Sequence, residues 1–366
     1  MSPVSPAVRE LRAAAYRIPT AGPEADGTLA WDSTTLVVVE AAAGDVRGLG
    51  WTYADASCVP LINDVLGSVI MDLPVLDVPR AWQAMQRRIR NLGRPGLVSC
   101  AMSAVDIALW DAAARWLDVP VADLLGRCHD DVAVYGSGGF TSYDDDQLVE
   151  QLHSWTDDLQ HRRIKIKIGE SWGTRTAEDL RRVLVVRDTV GGGVELFVDA
   201  NGGYSVGQAR RMADALGDLG VTWFEEPVSS DDLAGLATVR SSTMIDIAAG
   251  EYGYDLAYFA RMAPVVDCLQ VDVTRCGGFT EWRRAAAVAA GHGLEVSAHC
   301  APNLSAQAAA ATANFRHIEW FVDHDRIESE LFDGCLEPHG GSVTVPHTVA
   351  GHGMSLRREV AESYAI

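Results

Sequence analysis

The sequence predicts an α/β protein, a closed parallel (β/α) barrel preceded by a smaller α+β domain. Three observations predict it. From about residue 132 onward, a short β-rich run, a polar or charged residue and a helical stretch recur eight times. The units are of similar length and carry no strong Gly-rich phosphate loop. The residues before about 130 follow a different pattern.

The early segment comes first. Trp31–Ala41 reads as a strand within an early sheet, and Pro79–Asn91 and Ser99–Leu117 read as helices. The predicted barrel runs are Val132–Tyr135, Ile164–Ile168, Glu195–Val198, Val221–Phe224, Ile245–Ala249, Cys268–Val271, Leu294–Ala298 and His317–Phe321. Between them lie stretches of helical periodicity, such as Gly207–Leu219 and Glu281–His292. Strands alternating with helices form parallel sheets through right-handed crossovers, and eight such units favour closure over a flat doubly wound sheet. Gly136-Ser137-Gly138-Gly139 is a poor nucleotide-binding fingerprint, because Thr141 stands where its third glycine belongs. The predicted division is residues 1–130 for the α+β domain, 131–331 for the barrel, and 332–366 for a segment returning to the first domain.

Composition narrows the function. A chain of 366 residues is long for one ordinary domain, and 48% hydrophobic against 22% charged residues leaves ample material for a large core. The formal charge of -20 repels phosphate backbones and anionic membranes, so neither nucleic acid nor a membrane is an expected partner. No signal-peptide run and no stretch of membrane-spanning length is evident. Seven scattered cysteines without a C-x-x-C pair suggest reduced, mostly buried thiols, and with them a cytoplasmic location.

The polar residues ending the runs carry the chemistry: Lys165 and Lys167, Asp199, Glu225, Glu251, Asp272, His299 and Glu319. From Lys167 onward, successive members lie between 20 and 32 residues apart by their numbers, roughly one strand-plus-helix unit each. Strand ends of a parallel barrel converge on one mouth, where barrel enzymes keep their active sites. Asp199, Glu225 and Glu251 end consecutive strands and would crowd three like charges together. Such a cluster is costly unless a cation sits among the carboxylates. Oxygen-only ligation selects a hard ion, Mg²⁺ first.

In Arg163-Ile164-Lys165-Ile166-Lys167-Ile168 the lysines share one face and the isoleucines the other. An exposed amphipathic strand would read the same. Inside a barrel, however, helices cover the outer face, so the isoleucines meet helices and the lysines point inward. Neighbouring positive charge, from Lys165 and from a nearby divalent cation, is expected to free Lys167 to act as a base. Asp272 beside His299 can fix the imidazole tautomer and raise its basicity, making an acid/base pair. The second and seventh strands face each other, so Lys167 and His299 would address opposite faces of one carbon. Glu319, if protonated, could hydrogen-bond a substrate carboxylate. Asn201 and Arg275 are weaker candidates.

These residues match, in type, order and spacing, the mandelate racemase branch of the enolase superfamily, which the sequence strongly resembles over nearly its whole length. Ser103-Ala104-Val105-Asp106-Ile107-Ala108-Leu109-Trp110-Asp111 resembles that family's helix leading from capping domain to barrel, with Asp106 and Asp111 structural. The resemblance implies a modified TIM barrel, (β/α)₇β, under an α+β capping domain completed by the C-terminal segment. It also implies a bound Mg²⁺, an enediolate intermediate and a homo-oligomer. The resemblance implies, too, the Lys or His base that this superfamily uses with Mg²⁺. Family resemblance further implies that Pro19–Trp31 and Trp51–Cys58 are loops lining the pocket, with Trp31, Asp32, Trp51, Thr52, Tyr53 and Asp55 as a mixed aromatic and polar lining.

The expected substrate is a small carboxylate, a sugar acid or another 2-hydroxy acid. The leading expectation is dehydration to a 2-keto-3-deoxy acid, with Lys167 taking the α-proton and His299 protonating the leaving hydroxyl, or the reverse. Racemisation or epimerisation by the same residues is the alternative. A binding protein that keeps the fold and metal without catalysis is a third, more distant one.

Overall fold

The computed structural model describes residues 5–366. β1 (Val8–Ala25), β2 (Ala30–Ala43) and β3 (Val46–Tyr53) form an antiparallel sheet. Only β2 stood out in the sequence. β1 carries Pro19 and Pro23, which a strand tolerates at a sheet edge, and its register slips between Pro19 and Glu24. Pro19–Trp31 is therefore not an open loop. It is the far end of a β1–β2 hairpin, and it reaches the barrel: Thr141 N donates to Ala25 O at 2.8 Å and Trp172 N to Gly27 O at 2.9 Å.

Behind the sheet lies the helix Leu97–Leu117, with every residue from Ser99 to Ala114 buried. It corrects one expectation, since its 21 residues are long and apolar enough to cross a membrane. Its apolar stretch is 89% buried inside the protein, as in a core helix. Contact with β3 is close enough to demand glycine. A Cβ on Gly50 would stand 2.3 Å from Ala104 O and 2.5 Å from Ala108 N, both backbone atoms that cannot step aside. Gly50→Ala is expected to cost about 1–3 kcal/mol, the usual range for overpacking. Urea unfolding of variant and parent checks it; equal midpoints would contradict the packing.

The eight expected runs are all strands of one barrel. They are β4 (Asp131–Gly138), β5 (Arg163–Lys167), β6 (Glu195–Asp199), β7 (Val221–Glu225), β8 (Asp246–Ala249), β9 (Cys268–Val271), β10 (Glu295–Ala298) and β11 (Phe315–Phe321). They pair in sequence order, all parallel, and β11 pairs with β4 to close the ring. Helices such as Val206–Asp218 and Gly278–Gly291 cover the outside. Ile164, Ile166 and Ile168 are fully buried beneath that layer. The Gly-rich run is no phosphate loop: Gly136, Ser137 and Gly138 end β4, and Gly139 follows it. Gly136 has no side chain because the Trp155 indole lies where its Cβ would be, at 2.9 Å. Tyr135, Phe197, Trp223, Ala248 and Cys268 form a cluster of their own among inward positions of the strands.

Two buried aspartates fasten the sheet-and-helix domain to the rest. Asp106 accepts from Thr280 Oγ1 (2.6 Å) and Thr280 N (2.9 Å). Asp111 accepts from Leu49 N and His352 N, both at 2.8 Å. After β11 and the helix Val322–Leu331, the chain runs back along the first domain. Arg17 N donates to Tyr364 O at 2.8 Å, and Ile366 N to Ala15 O at 3.1 Å. All seven cysteines are free, and five of them are buried.

Candidate active site

Parallel register alone sets three groups level at the mouth. Lys167 is the Cα partner of Asp199, and Asp199 is the partner of Glu225. One residue pair lower, Ser137 partners Lys165. The eight strand-end residues, from Lys165 to Glu319, are all buried, and the structure brings them together.

Asp199, Glu225 and Glu251 each offer an oxygen within 4.8 Å of the others'. Burial pushes the Glu225 carboxyl up to about 8; Lys165 opposes this, and Asp199 and Glu319 add to it. Glu251 Oε1 accepts from Arg275 Nη1 at 3.2 Å. Its Oε2 is buried without a hydrogen bond, as are Glu226 Oε1 and Asn201 Oδ1. Crowded, desolvated, oxygen-only donors with unsatisfied lone pairs fit a hard divalent cation. Asn201 (φ 46°) and Glu226 (φ 37°), just after two of these carboxylates, hold left-handed backbone. Strain of this kind, about 1–3 kcal/mol each, persists where surrounding structure enforces it.

The lysines lie among these carboxylates. Lys165 contacts Glu225, lies 2.8 Å from Glu319 Oε1 and 3.9 Å from Asp199 Oδ2. Lys167 Nζ donates to Asp199 Oδ2 at 2.5 Å. Burial disfavours both ammonium charges, but the carboxylates outweigh it and raise both groups above the ordinary lysine value. Lys165 opposes the charge on Lys167, as expected, though less strongly than Asp199 favours it.

Asp272 Oδ2 accepts from His299 Nδ1 at 2.7 Å, while Oδ1 accepts from Thr274 N (2.6 Å) and Thr274 Oγ1 (2.7 Å). Two bonds on one oxygen fix the carboxylate that orients the ring, leaving Nε2 facing the mouth. Burial works against a charged His299, yet Glu251 and Glu319 more than offset it and raise its basicity. Glu319 sits among these cations. Burial favours its neutral form, but Lys165, His299 and Lys167 override this and hold it well below the ordinary carboxylate range. Its Oε1 accepts from Ser137 Oγ at 2.6 Å.

The lining differs from the expected set. Trp51 and Thr52 are core residues: Trp51 stacks on Phe332 and donates to Glu328, and Thr52 donates to Thr274 O. Asp55 is exposed and accepts from Ser57 N. Asp32 is exposed as well. Trp31 and Tyr53 do approach the mouth. Trp31 packs edge-on to Phe140, Phe140 meets Phe321, and the Phe321 ring centre lies 5.9 Å from Lys167 Nζ. Tyr53 stacks on His324, whose Nδ1 accepts from Ala301 N at 3.2 Å. Behind the aromatic wall, Trp31 Nε1 donates to buried Glu24 at 2.8 Å. Ser137, Cys300 and His324 are members of the site that sequence reasoning missed.

Two family matches cover most of the sequence. Residues 11–126 match the mandelate racemase/muconate lactonizing enzyme N-terminal domain, and residues 147–360 match the enolase C-terminal domain-like family. The chain belongs to the mandelate racemase/muconate lactonizing enzyme family of the enolase superfamily. Among curated members of this family, D-galactarolactone cycloisomerase of Agrobacterium fabrum is 32% identical over 307 residues, 78% of this chain and 79% of the relative. Other relatives are named as dehydratases of sugar acids and as dipeptide epimerases. A solved mandelate racemase/muconate lactonizing enzyme-like protein from Rubrobacter xylanophilus has a TM-score of 0.96 and 46% identity, covering 99% of this chain and 100% of that one. A racemase from Streptomyces coelicolor A3(2), solved with bound magnesium, has a TM-score of 0.92 and 29% identity, covering 98% and 100%.

Proposed function

We propose that this protein is a Mg²⁺-dependent enzyme that removes the α-proton of a small hydroxy-carboxylate, most simply dehydrating a sugar acid to a 2-keto-3-deoxy acid. One observation carries the reading. A buried carboxylate triad and two separately supported proton-transfer groups, Lys167 and the Asp272–His299 pair, share one barrel mouth.

Asp199, Glu225 and Glu251 would hold the ion. When bound, Mg²⁺ supplies positive charge where the substrate carboxylate gains negative charge as its α-proton leaves. The protein's own groups do the rest. β5 and β10 lie on either side of the pair β11 and β4, so Lys167 and His299 approach the substrate carbon from different directions. Lys165, anchored by Glu319 and Glu225, adds a fixed positive charge beside the carboxylate. One of Lys167 and His299 takes the α-proton, and the other protonates the departing β-hydroxyl. Water is excluded by the Trp31–Phe140–Phe321 wall and the Tyr53–His324 stack.

The same aromatic wall favours a second reading, racemisation or epimerisation of an acid with a less polar substituent. The two reactions separate on product. With sugar acids and Mg²⁺, the dehydratase reading expects a keto acid detectable as its semicarbazone. The second expects deuterium at the α-carbon in D₂O and no keto product. Neither outcome across a broad library of hydroxy acids would overturn both readings and leave the non-catalytic binder.

A further inference from the structure

The proposed reaction uses His299 and Glu319 but has no use for the thiol between them. Cys300 is buried, with Sγ 3.3 Å from His299 Nε2 and 3.6 Å from Glu319 Oε2. The third side of the triangle, His299 Nε2 to Glu319 Oε2, is 3.7 Å. Zinc sits about 2.3 Å from sulfur and about 2.0–2.2 Å from imidazole nitrogen or carboxylate oxygen, so neighbouring donors of a tetrahedral site stand roughly 3.3–3.6 Å apart. The three observed edges lie at or just above that range.

Each donor is already aimed. His299 Nδ1 is tied to Asp272, the carboxylate–histidine arrangement that orients zinc-binding imidazoles. Glu319 Oε1 is occupied by Ser137 and Lys165, which leaves Oε2 on the side of the thiol. From the backbone, Oε2 receives a long hydrogen bond from Cys300 N, at 3.3 Å. Cys300 and Ala301 both hold left-handed backbone (φ 49° and 41°), which turns the chain after β10 so that the thiol lies against Nε2. A nitrogen, a sulfur and an oxygen form a softer donor set than Asp199, Glu225 and Glu251.

We propose that His299 Nε2, Cys300 Sγ and Glu319 Oε2 form a second metal site, selective for a thiophilic divalent cation such as Zn²⁺ and separate from the carboxylate triad. Binding releases the thiol proton to solvent and leaves a thiolate, a neutral imidazole and a carboxylate around the ion. The two sites adjoin, because Glu251 Oε2 lies 3.3 Å from His299 Nε2. An ion here occupies Nε2, so Zn²⁺ inhibits any reaction in which His299 carries a proton. That consequence rests on the proposed function, whereas the binding does not.

The test reads the metal, not activity. The protein saturated with Mg²⁺ is titrated with Co²⁺, and the near-ultraviolet sulfur-to-cobalt charge-transfer band is followed. Oxygen ligands cannot produce that band. One equivalent should saturate it, Zn²⁺ should erase it, Cys300→Ser should abolish it, and Cys128→Ser should leave it unchanged. No band in the unaltered protein would overturn the proposal, as would a band that survives Cys300→Ser. If Cys300→Ser does not fold, His299→Asn and Glu319→Gln should each weaken Co²⁺ binding at least ten-fold. Unchanged affinity in both would equally overturn it.

Discussion

Lys167→Ala is expected to abolish proton exchange on one face of the substrate carbon, a loss of at least about 100-fold if Lys167 is the general base. Mg²⁺ affinity should change far less, because the variant loses a hydrogen bond to Asp199 and, with it, a positive charge that repels the ion. Alanine removes the ammonium without altering β5, whose Ile164 and Ile166 are anchored under the outer helices. His299→Asn should remove the complementary half of the chemistry. Exchange measured by proton NMR in D₂O, with each variant and with both enantiomers of an accepted acid, distinguishes the faces. Full exchange in Lys167→Ala would show that the base lies elsewhere.

Glu225→Gln is expected to weaken Mg²⁺ by at least about 100-fold, the upper end of what losing even an outer partner of a metal ligand costs. It should also remove turnover with every substrate. The amide keeps the shape and can still accept from Trp223 Nε1, which donates to Oε2 at 3.0 Å in the parent. It cannot supply the charge. Calorimetric Mg²⁺ titration, with circular dichroism to confirm the fold, tests it. An unaltered metal requirement would remove Glu225 from the ligand set.

Much of this site was legible in the sequence because barrel closure converts regular spacing into proximity. Asp199, Glu225 and Glu251 needed only strand ends and unit length, and Lys165 and Lys167 needed only the two-residue alternation of a strand covered on one face. Protonation was not legible in the same way. Whether Lys167 feels Lys165 or Asp199 more strongly depends on side-chain distances that no spacing rule contains. Cys300 was invisible for a different reason: a lone thiol after a histidine has no period, and its role depends on a left-handed turn. β1 was missed because two prolines and few large apolar residues mask an edge strand, although ten of its residues, Glu10–Pro19, pair in register with β2. The hairpin it forms turned an expected loop into a structured wall.

The account depends on one divalent ion seated among three carboxylates from consecutive strands. Diffraction from crystals grown with Mn²⁺, collected at the manganese absorption edge, locates that ion without reference to activity. The expected result is a single anomalous peak within coordination distance of Asp199, Glu225 and Glu251 together. A peak elsewhere with these three carboxylates unligated, or no peak at saturating Mn²⁺, would contradict it.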